Sequence, residues 1–125
     1  MKKLLFFLAL IPFAMASCQS QNTAAEQVLP PDTYQQKLQA EEEVQLLDVR
    51  TPKEYEEGHI DGAVNIDYFD ENFLQQVEQR FDKNKPVMLY CRSGNRSAKA
   101  TAIMEEAGFT EIYDLKGGFK AWPKE

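Results

Sequence analysis

The sequence is poor in cysteine, histidine and basic residues. Among 125 residues it has two cysteines, one histidine and no Cys-x-x-Cys pair, so a dithiol redox enzyme of that type is not indicated. Lysine and arginine total 14 against 20 aspartate and glutamate residues, which gives a formal net charge of −6. Because no basic stripe is available to neutralise phosphates, nucleic acid is excluded as the main partner.

Long hydrophobic runs are also lacking, except at the N-terminus. There, Lys2 and Lys3 precede an apolar segment that ends near Met15 and is followed by small residues. The segment is shorter than the roughly 18 apolar residues of a membrane-spanning helix, and Pro12 argues against a core helix. This pattern predicts a secretory signal peptide at residues 1–17.

The signal segment ends next to a cysteine. The stretch Met15-Ala16-Ser17-Cys18 resembles the lipobox of bacterial lipoproteins, in which the cysteine is diacylated and becomes the new N-terminus. The resemblance implies an extracytoplasmic protein of the periplasm or cell envelope, with a lipid anchor in a bacterial membrane. The alternative is plain cleavage that leaves Cys18 free or disulfide-bonded. Residues 18–32 are polar and aperiodic, and predict a flexible tether after the lipidated terminus.

The remaining residues, 33–125, predict one domain in which strands alternate with helices. The expected strands are residues 44–49, 63–66, 86–91 and 111–115. The expected helices are residues 33–42, a short segment from Pro52 to Gly58, residues 70–81 and residues 96–108. This alternation predicts an α/β fold with a mainly parallel central sheet flanked by helices on both faces.

The helix signals differ in kind. Thr51 and Glu54 have the spacing of a capping box, whereas Asp32 or Thr33 is the expected cap of the first helix. Helical spacing predicts that the third and fourth helices bury the following residues: Phe73, Leu74, Val77 and Phe81 in the third, and Ala98, Ala102 and Ile103 in the fourth.

Cys91 stands where the apolar strand 86–91 ends, at the edge of the sheet where α/β proteins bind ligands. Gly94 lets the following backbone curl, while Ser93, Asn95 and Ser97 can brace the turn. Unpaired N–H groups and the helix dipole should make the thiol ionise more readily and act as a nucleophile. The alternative is a buried structural cysteine beside a surface loop.

The spacing of the loop indicates which anion it holds. Only four residues separate Cys91 from Arg96, whereas cysteine-dependent phosphatases space the two residues one position further apart. The shorter loop should hold a smaller anion than phosphate, such as one terminal sulfur bound to Cys91. The sequence therefore favours persulfide chemistry over phosphatase chemistry.

Three ordered motifs, LLDVRTPKEYEEGHIDGAVNI, LYCRSGNRS and LKGGFKAW, resemble a single-domain rhodanese, a sulfurtransferase. The resemblance extends over residues 33–122. It implies the rhodanese fold, a persulfide on Cys91, loop amides around the outer sulfur, and no metal or organic cofactor. Two positions depart from the family pattern: Asp67 replaces a proline, and Glu54 occupies the position of a substrate-binding arginine in two-domain members.

The resemblance implies transfer of sulfur from a small anionic donor, such as thiosulfate, to cyanide or to a thiol or protein acceptor. Arg92 and Arg96 are expected to attract the donor, and Arg96 also to tie the loop by hydrogen bonds. Asp48 and Arg50 are expected to pair and support the site.

Two further side chains are interpreted as structural. His59 should make a structural hydrogen bond, and Trp122 should pack as a closing lid. The alternative function is a sulfur carrier, sulfide-binding module or docking module without turnover.

Overall fold

The structure, a computed structural model, describes residues 25–124 of the chain. The strands are β1 Ala25–Leu29, β2 Gln45–Asp48, β3 Val64–Asn65, β4 Val87–Tyr90 and β5 Glu111–Leu115. The helices are α1 Pro31–Ala40, α2 Pro52–Glu57, α3 Phe73–Arg80 and α4 Asn95–Glu106, and a short 3-10 helix spans Phe119–Ala121. No helix among the described residues is long and apolar enough to cross a membrane.

All five strands are parallel and form one sheet in the order β1-β5-β4-β2-β3. β4 lies at the centre, and each of its residues is buried. A strand covered on both faces reads as a continuous apolar run, which is why Val-Met-Leu-Tyr lacks alternation. The predicted α/β fold with a parallel central sheet is confirmed.

Helices cover both faces of the sheet, as predicted. On one face, α3 and α4 pack against a core that includes Leu47, Val49, Leu89 and Ile112. On the other face, Tyr34 of α1 packs with the following residues: Leu46, Met88, Tyr90, Tyr113 and Leu115. The side chains of neighbouring positions in one strand thus enter different cores, because successive residues point to opposite faces.

The predicted buried residues are largely confirmed in α3 but not in α4. In α3, Phe73 and Val77 are buried and Phe81 follows them into the core, while Leu74 is half-buried. In α4, the prediction was wrong: Ala98 and Ala102 are exposed and Ile103 is half-buried. The buried residues of α4 are instead Ser97, Ala100, Thr101 and Met104. Alanine is found both buried and exposed, so the alanines say little about which side of the helix faces the core. The hydroxyl groups of Ser97 and Thr101 can face inward because they are hydrogen-bonded.

The N-terminal boundary of the fold lies earlier than predicted. Within the expected tether, β1 pairs with β5, and α1 begins at Pro31 without a side-chain cap from Asp32 or Thr33. β1 is an edge strand, and its Val28 side chain is half exposed. Its sequence therefore lacks the continuous run of apolar residues that identifies a central strand. The predicted signal peptide and Cys18 lie outside the described residues.

The capping box before α2 is confirmed. The Thr51 hydroxyl accepts a hydrogen bond from the Glu54 amide at 3.3 Å, and the Glu54 carboxylate accepts one from the Thr51 amide at 3.2 Å. Gly58 ends the helix, as its position predicted. The short helix fixes the place of Glu54, which becomes important at the site described next.

Candidate active site

Cys91 follows β4 directly and lies at the carboxyl edge of the sheet. Its side chain is buried, and the Gly94 amide donates a hydrogen bond to its Sγ at 3.0 Å. Gly94 has φ +109°, a conformation in which glycine is favoured, and α4 begins at the next residue. The thiol therefore faces a backbone donor at the positive end of a helix, an arrangement suited to a developing negative charge.

The 3-10 helix holds the cysteine loop in place from outside. The Phe119 amide donates to the Cys91 carbonyl at 2.8 Å, and the Lys120 amide donates to the Arg92 carbonyl at 3.0 Å. A Cβ atom on Gly118 would lie 2.6 Å from the Ser93 amide nitrogen and in conflict with the Arg92 carbonyl group. The Gly-Gly pair of the sequence thus permits close backbone contact with the loop. The side chains of Arg92, Ser93 and Asn95 are exposed.

Ser97 braces the loop, as predicted, and joins it to a residue that the sequence analysis missed. Its Oγ lies 3.3 Å from Cys91 Sγ, 3.2 Å from the Gly94 carbonyl oxygen and 3.0 Å from Asp114 Oδ2. Ser97 and Asp114 are both buried. The available signal was Asp114 itself: Glu111 stands at the start of the strand, whereas Asp114 stands between the apolar residues Tyr113 and Leu115, where a buried charge needs a specific partner.

Arg96 has a different structural role from the one predicted. Its guanidinium donates two hydrogen bonds to the Glu54 carboxylate, at 2.7 and 2.9 Å, and so joins α4 to α2 rather than tying the loop. The pair lowers the pKa of Glu54 to about 2, with further hydrogen bonds from Thr51. It also raises the pKa of Arg96, which interacts electrostatically with Cys91. The exposed ring of Phe69 lies 5.6 Å from the guanidinium.

Asp48 and Arg50 form the expected pair. Arg50 Nη2 lies 2.7 Å from Asp48 Oδ2 and 2.7 Å from the Gly58 carbonyl oxygen, and the pair is buried. The guanidinium stacks over the Phe119 ring at 4.3 Å. Because the Phe119 amide donates to the Cys91 carbonyl, the pair supports the loop through the 3-10 helix.

A family model described as Rhodanese-like domain matches residues 31–125. The chain belongs to the rhodanese-like domain family. It is 39% identical over 122 residues to a Bacillus subtilis protein named Uncharacterized protein YqhL, covering 95% of this chain and 89% of that protein. It is 41% identical over 87 residues to Thiosulfate sulfurtransferase 16, chloroplastic, of Arabidopsis thaliana, covering 62% and 72% of the two chains.

Solved structures agree with the family. A rhodanese-like domain protein from Staphylococcus aureus is similar with a TM-score of 0.69 and 30% sequence identity, over 79% of this chain and 93% of that chain. The resemblance found in the three sequence motifs is therefore confirmed, together with the rhodanese fold.

An open cavity of about 470 Å³ lies beside the cysteine loop of this rhodanese-like domain. Its lining consists of Arg50, Glu54, Glu57, Gly58, Arg92, Phe119, Lys120 and Lys124. Arg50 and Glu54 are held in ion pairs, which leaves Arg92, Lys120 and Lys124 as the cationic side of the wall. Within residues 25–124, no group of three or more His, Cys, Asp or Glu side chains is placed to hold a metal ion.

His59 and Trp122 border a separate groove against α1. His59 Nδ1 donates to the Tyr55 carbonyl at 2.9 Å, and its ring stacks on the Tyr55 ring at 3.7 Å. The predicted structural hydrogen bond of His59 is thus confirmed. Trp122 packs edge-on against Tyr34 at 6.0 Å, so it closes the face of the sheet opposite α3 and α4.

Proposed function

We propose that this rhodanese-like domain is a sulfurtransferase that moves a sulfane sulfur from an anionic donor, such as thiosulfate, to a thiol through a Cys91 persulfide. The observation that carries the proposal is the Cys91 Sγ atom held 3.0 Å from the Gly94 amide at the start of α4. Relatives named thiosulfate sulfurtransferase support the same class of reaction.

In the first half-reaction, the Cys91 thiolate attacks the sulfane sulfur of the donor. With thiosulfate, the new S–S bond forms as the S–S bond of the donor breaks, and sulfite leaves with the electron pair. Cations of the cavity wall, Arg92, Lys120 and Lys124, attract the dianion. Arg96 contributes mainly its field, because Glu54 holds both of its terminal nitrogens in hydrogen bonds.

In the second half-reaction, an acceptor thiolate attacks the outer sulfur of the persulfide. The bond between the two sulfur atoms breaks, the acceptor becomes a persulfide, and Cys91 leaves as a thiolate. The Gly94 amide stabilises this leaving group as it stabilised the nucleophile. Cyanide as acceptor gives thiocyanate.

Mass spectrometry and a panel of donors and acceptors test the proposal with the wild type, Cys91→Ser and Arg92→Ala. The wild type should gain the mass of one sulfur atom on Cys91 and form thiocyanate, while Cys91→Ser should do neither. Arg92→Ala should still load sulfur but with a KM for thiosulfate raised several-fold, since it removes only an exposed cation.

The same panel separates turnover from the alternative of a sulfur carrier or docking module. Loading of Cys91 without release to any acceptor indicates a carrier. If no donor loads Cys91 in the folded protein, the result contradicts both the sulfurtransferase and the sulfur carrier. The remaining function is then a docking or sulfide-binding module.

We also propose that Cys18 is diacylated and anchors the domain to a bacterial membrane on its extracytoplasmic side. The Met15-Ala16-Ser17-Cys18 stretch supports this, and β1 begins at Ala25. The chain from Cys18 to Ala25 spans at most about 25 Å when fully extended, so the domain would stay close to the bilayer. Intact-mass measurement of membrane-extracted protein should show a diacylated Cys18, and Cys18→Ala should be soluble. An unmodified Cys18 would contradict the proposal.

A further inference from the structure

Asp114 is a buried carboxyl group that the mechanism above does not use. It lies on β5 and is 3% exposed, with its Oδ2 atom 3.0 Å from the Ser97 hydroxyl. The same hydroxyl lies 3.3 Å from the Cys91 sulfur. Thiol, hydroxyl and carboxyl therefore form a continuous line of hydrogen-bond distances within the protein.

The Ser97 hydroxyl has one proton, so it can donate to only one partner at a time. If Asp114 is ionised, the hydroxyl donates to its carboxylate and accepts the S–H proton of Cys91. If Cys91 is ionised, the hydroxyl donates to the sulfur and accepts from a protonated Asp114. It cannot donate to a thiolate and a carboxylate together, and two buried negative charges linked by one hydroxyl repel each other.

We propose that Cys91 and Asp114 hold one proton between them and pass it through the Ser97 hydroxyl. In the transfer, the Cys91 S–H bond breaks and its proton binds Ser97 Oγ, while the original hydroxyl proton binds Asp114 Oδ2. The products are a thiolate and a neutral carboxyl group, with no change in net charge. Asp114 acts through Ser97 and is a positioning residue.

As free side chains, an aspartate carboxyl and a cysteine thiol ionise near pH 3.9 and about 8.5. Burial disfavours the ionised form of a carboxyl group, whereas the Gly94 amide and the start of α4 favour a negative charge on sulfur. The Arg96 guanidinium interacts electrostatically with Cys91 and adds to this preference. The proposed sharing of the proton uses these contacts, a buried carboxyl group at one end and backbone and guanidinium groups beside the sulfur at the other.

Three titratable groups of the described residues that lie near the pair are engaged elsewhere. Tyr34 of α1 is buried and donates its hydroxyl proton to the Leu89 carbonyl. Burial first, and then the charges of Asp114 and Asp48, keep the pKa of Tyr34 well above its usual value. Asp48 of β2 is held by Arg50, and Glu54 is held by Arg96.

For turnover, the inference rests on the proposed function. The first half-reaction then needs no external base, because the proton already lies on Asp114 when the thiolate attacks. When Cys91 leaves as a thiolate in the second half-reaction, it regains its share of the same proton.

Two titrations test the inference without any sulfur donor. Carbon-13 NMR of labelled aspartate carboxyls should show Asp114 losing its proton in two pH steps in the wild type. In Cys91→Ser, whose hydroxyl does not ionise, Asp114 should titrate in one step. Asp114 can be assigned through its own backbone amide, so this arm needs no Asp114 variant.

The reciprocal arm measures the alkylation rate of Cys91 by iodoacetamide against pH. The wild type should show two steps, whereas Asp114→Asn, which removes the second negative charge, should show one step close to the lower of the two. The exposed Asp61→Asn is the matched control and should keep the two-step profile. An Asp114 signal unaffected by Cys91→Ser, or identical one-step alkylation in wild type and Asp114→Asn, would overturn the inference. Because neither readout measures sulfur transfer, a failed donor panel would leave this result intact and count against the proposed function alone.

Discussion

At the scale of single residues, the two arginines of the cysteine loop have separate environments. Arg92 is exposed beside the cavity, whereas Arg96 is engaged by both oxygens of Glu54. A bidentate pair fixes the guanidinium geometry and uses donors that would otherwise bind an anion. In the proposed reaction, Arg92 thus belongs to the cations that attract the anionic sulfur donor, whereas Arg96 mainly connects α4 with α2.

Glu54→Gln should destabilise the domain at neutral pH and much less in acid. Hydrogen bonds from Arg96 depress the pKa of Glu54 to about 2 in the folded state, below its unfolded value. The pair therefore stabilises the fold above the unfolded pKa, and its contribution is lost as the pH falls from about 5 toward 2. After allowance for partial exposure, we expect a loss of about 1–2 kcal/mol near pH 7 in urea unfolding.

Glu56→Gln is the matched control for this effect, because Glu56 is exposed on the same helix. It should unfold like the wild type at both pH values. Glutamine at position 54 can still complete the capping box, so the change isolates the charge. Equal stability of Glu54→Gln and the wild type near pH 7 would show that the pair contributes nothing measurable.

At the scale of elements, the segment after β5 positions the cysteine loop from outside. Gly118 has φ +66°, and its missing side chain leaves room for the Arg92–Ser93 peptide. The 3-10 helix that follows donates two amide hydrogen bonds to the loop. The geometry of the thiol thus depends on a segment more than 20 residues away in sequence.

Gly118→Ala should displace this loop and cost at least about 2 kcal/mol of unfolding free energy. The added methyl group would meet backbone atoms, which cannot move aside as a flexible side chain can. Urea unfolding and the alkylation rate of Cys91 measure the two consequences.

Gly62→Ala separates the steric effect from backbone strain. Gly62 also has a positive φ, +87°, but a Cβ there would have no atom within 4 Å. It should lose only about 1 kcal/mol and leave the alkylation rate of Cys91 unchanged. If the two alanine variants behave alike, close packing at Gly118 is not what holds the loop.

Sequence reasoning succeeded where a residue's role depends on its neighbours along the chain. The Thr51–Glu54 capping box, the central strand and the position of Cys91 are local patterns of this kind. It failed where the partner is distant: Glu54 lies 42 positions from Arg96, and Asp114 lies 17 positions from Ser97. No periodicity encodes such contacts, since the fold alone brings them together.

At the scale of the whole molecule, β1 completes the sheet whose carboxyl edge carries the site. It is the outer neighbour of β5, and Val28 pairs in register with Asp114. Without β1, one edge of β5 would be open to water next to the buried carboxyl group. The part of the predicted tether that the structure describes thus belongs to the domain: Ala25–Leu29 form β1, although their composition is that of a polar edge strand.

Proline substitution in β1 tests this role with a built-in control. The Leu29 carbonyl accepts a hydrogen bond from the Lys116 amide, so the backbone groups of Leu29 face β5. Because alternate residues of a strand face the same neighbour, the backbone groups of Gln27 also face β5, and those of Val28 face away. Gln27→Pro should remove a ladder hydrogen bond and cost about 1–3 kcal/mol in urea unfolding. Val28→Pro should cost clearly less, because an edge strand tolerates proline where its N–H faces solvent. Equal effects of the two substitutions would mean that β1 does not pair with β5 in this register.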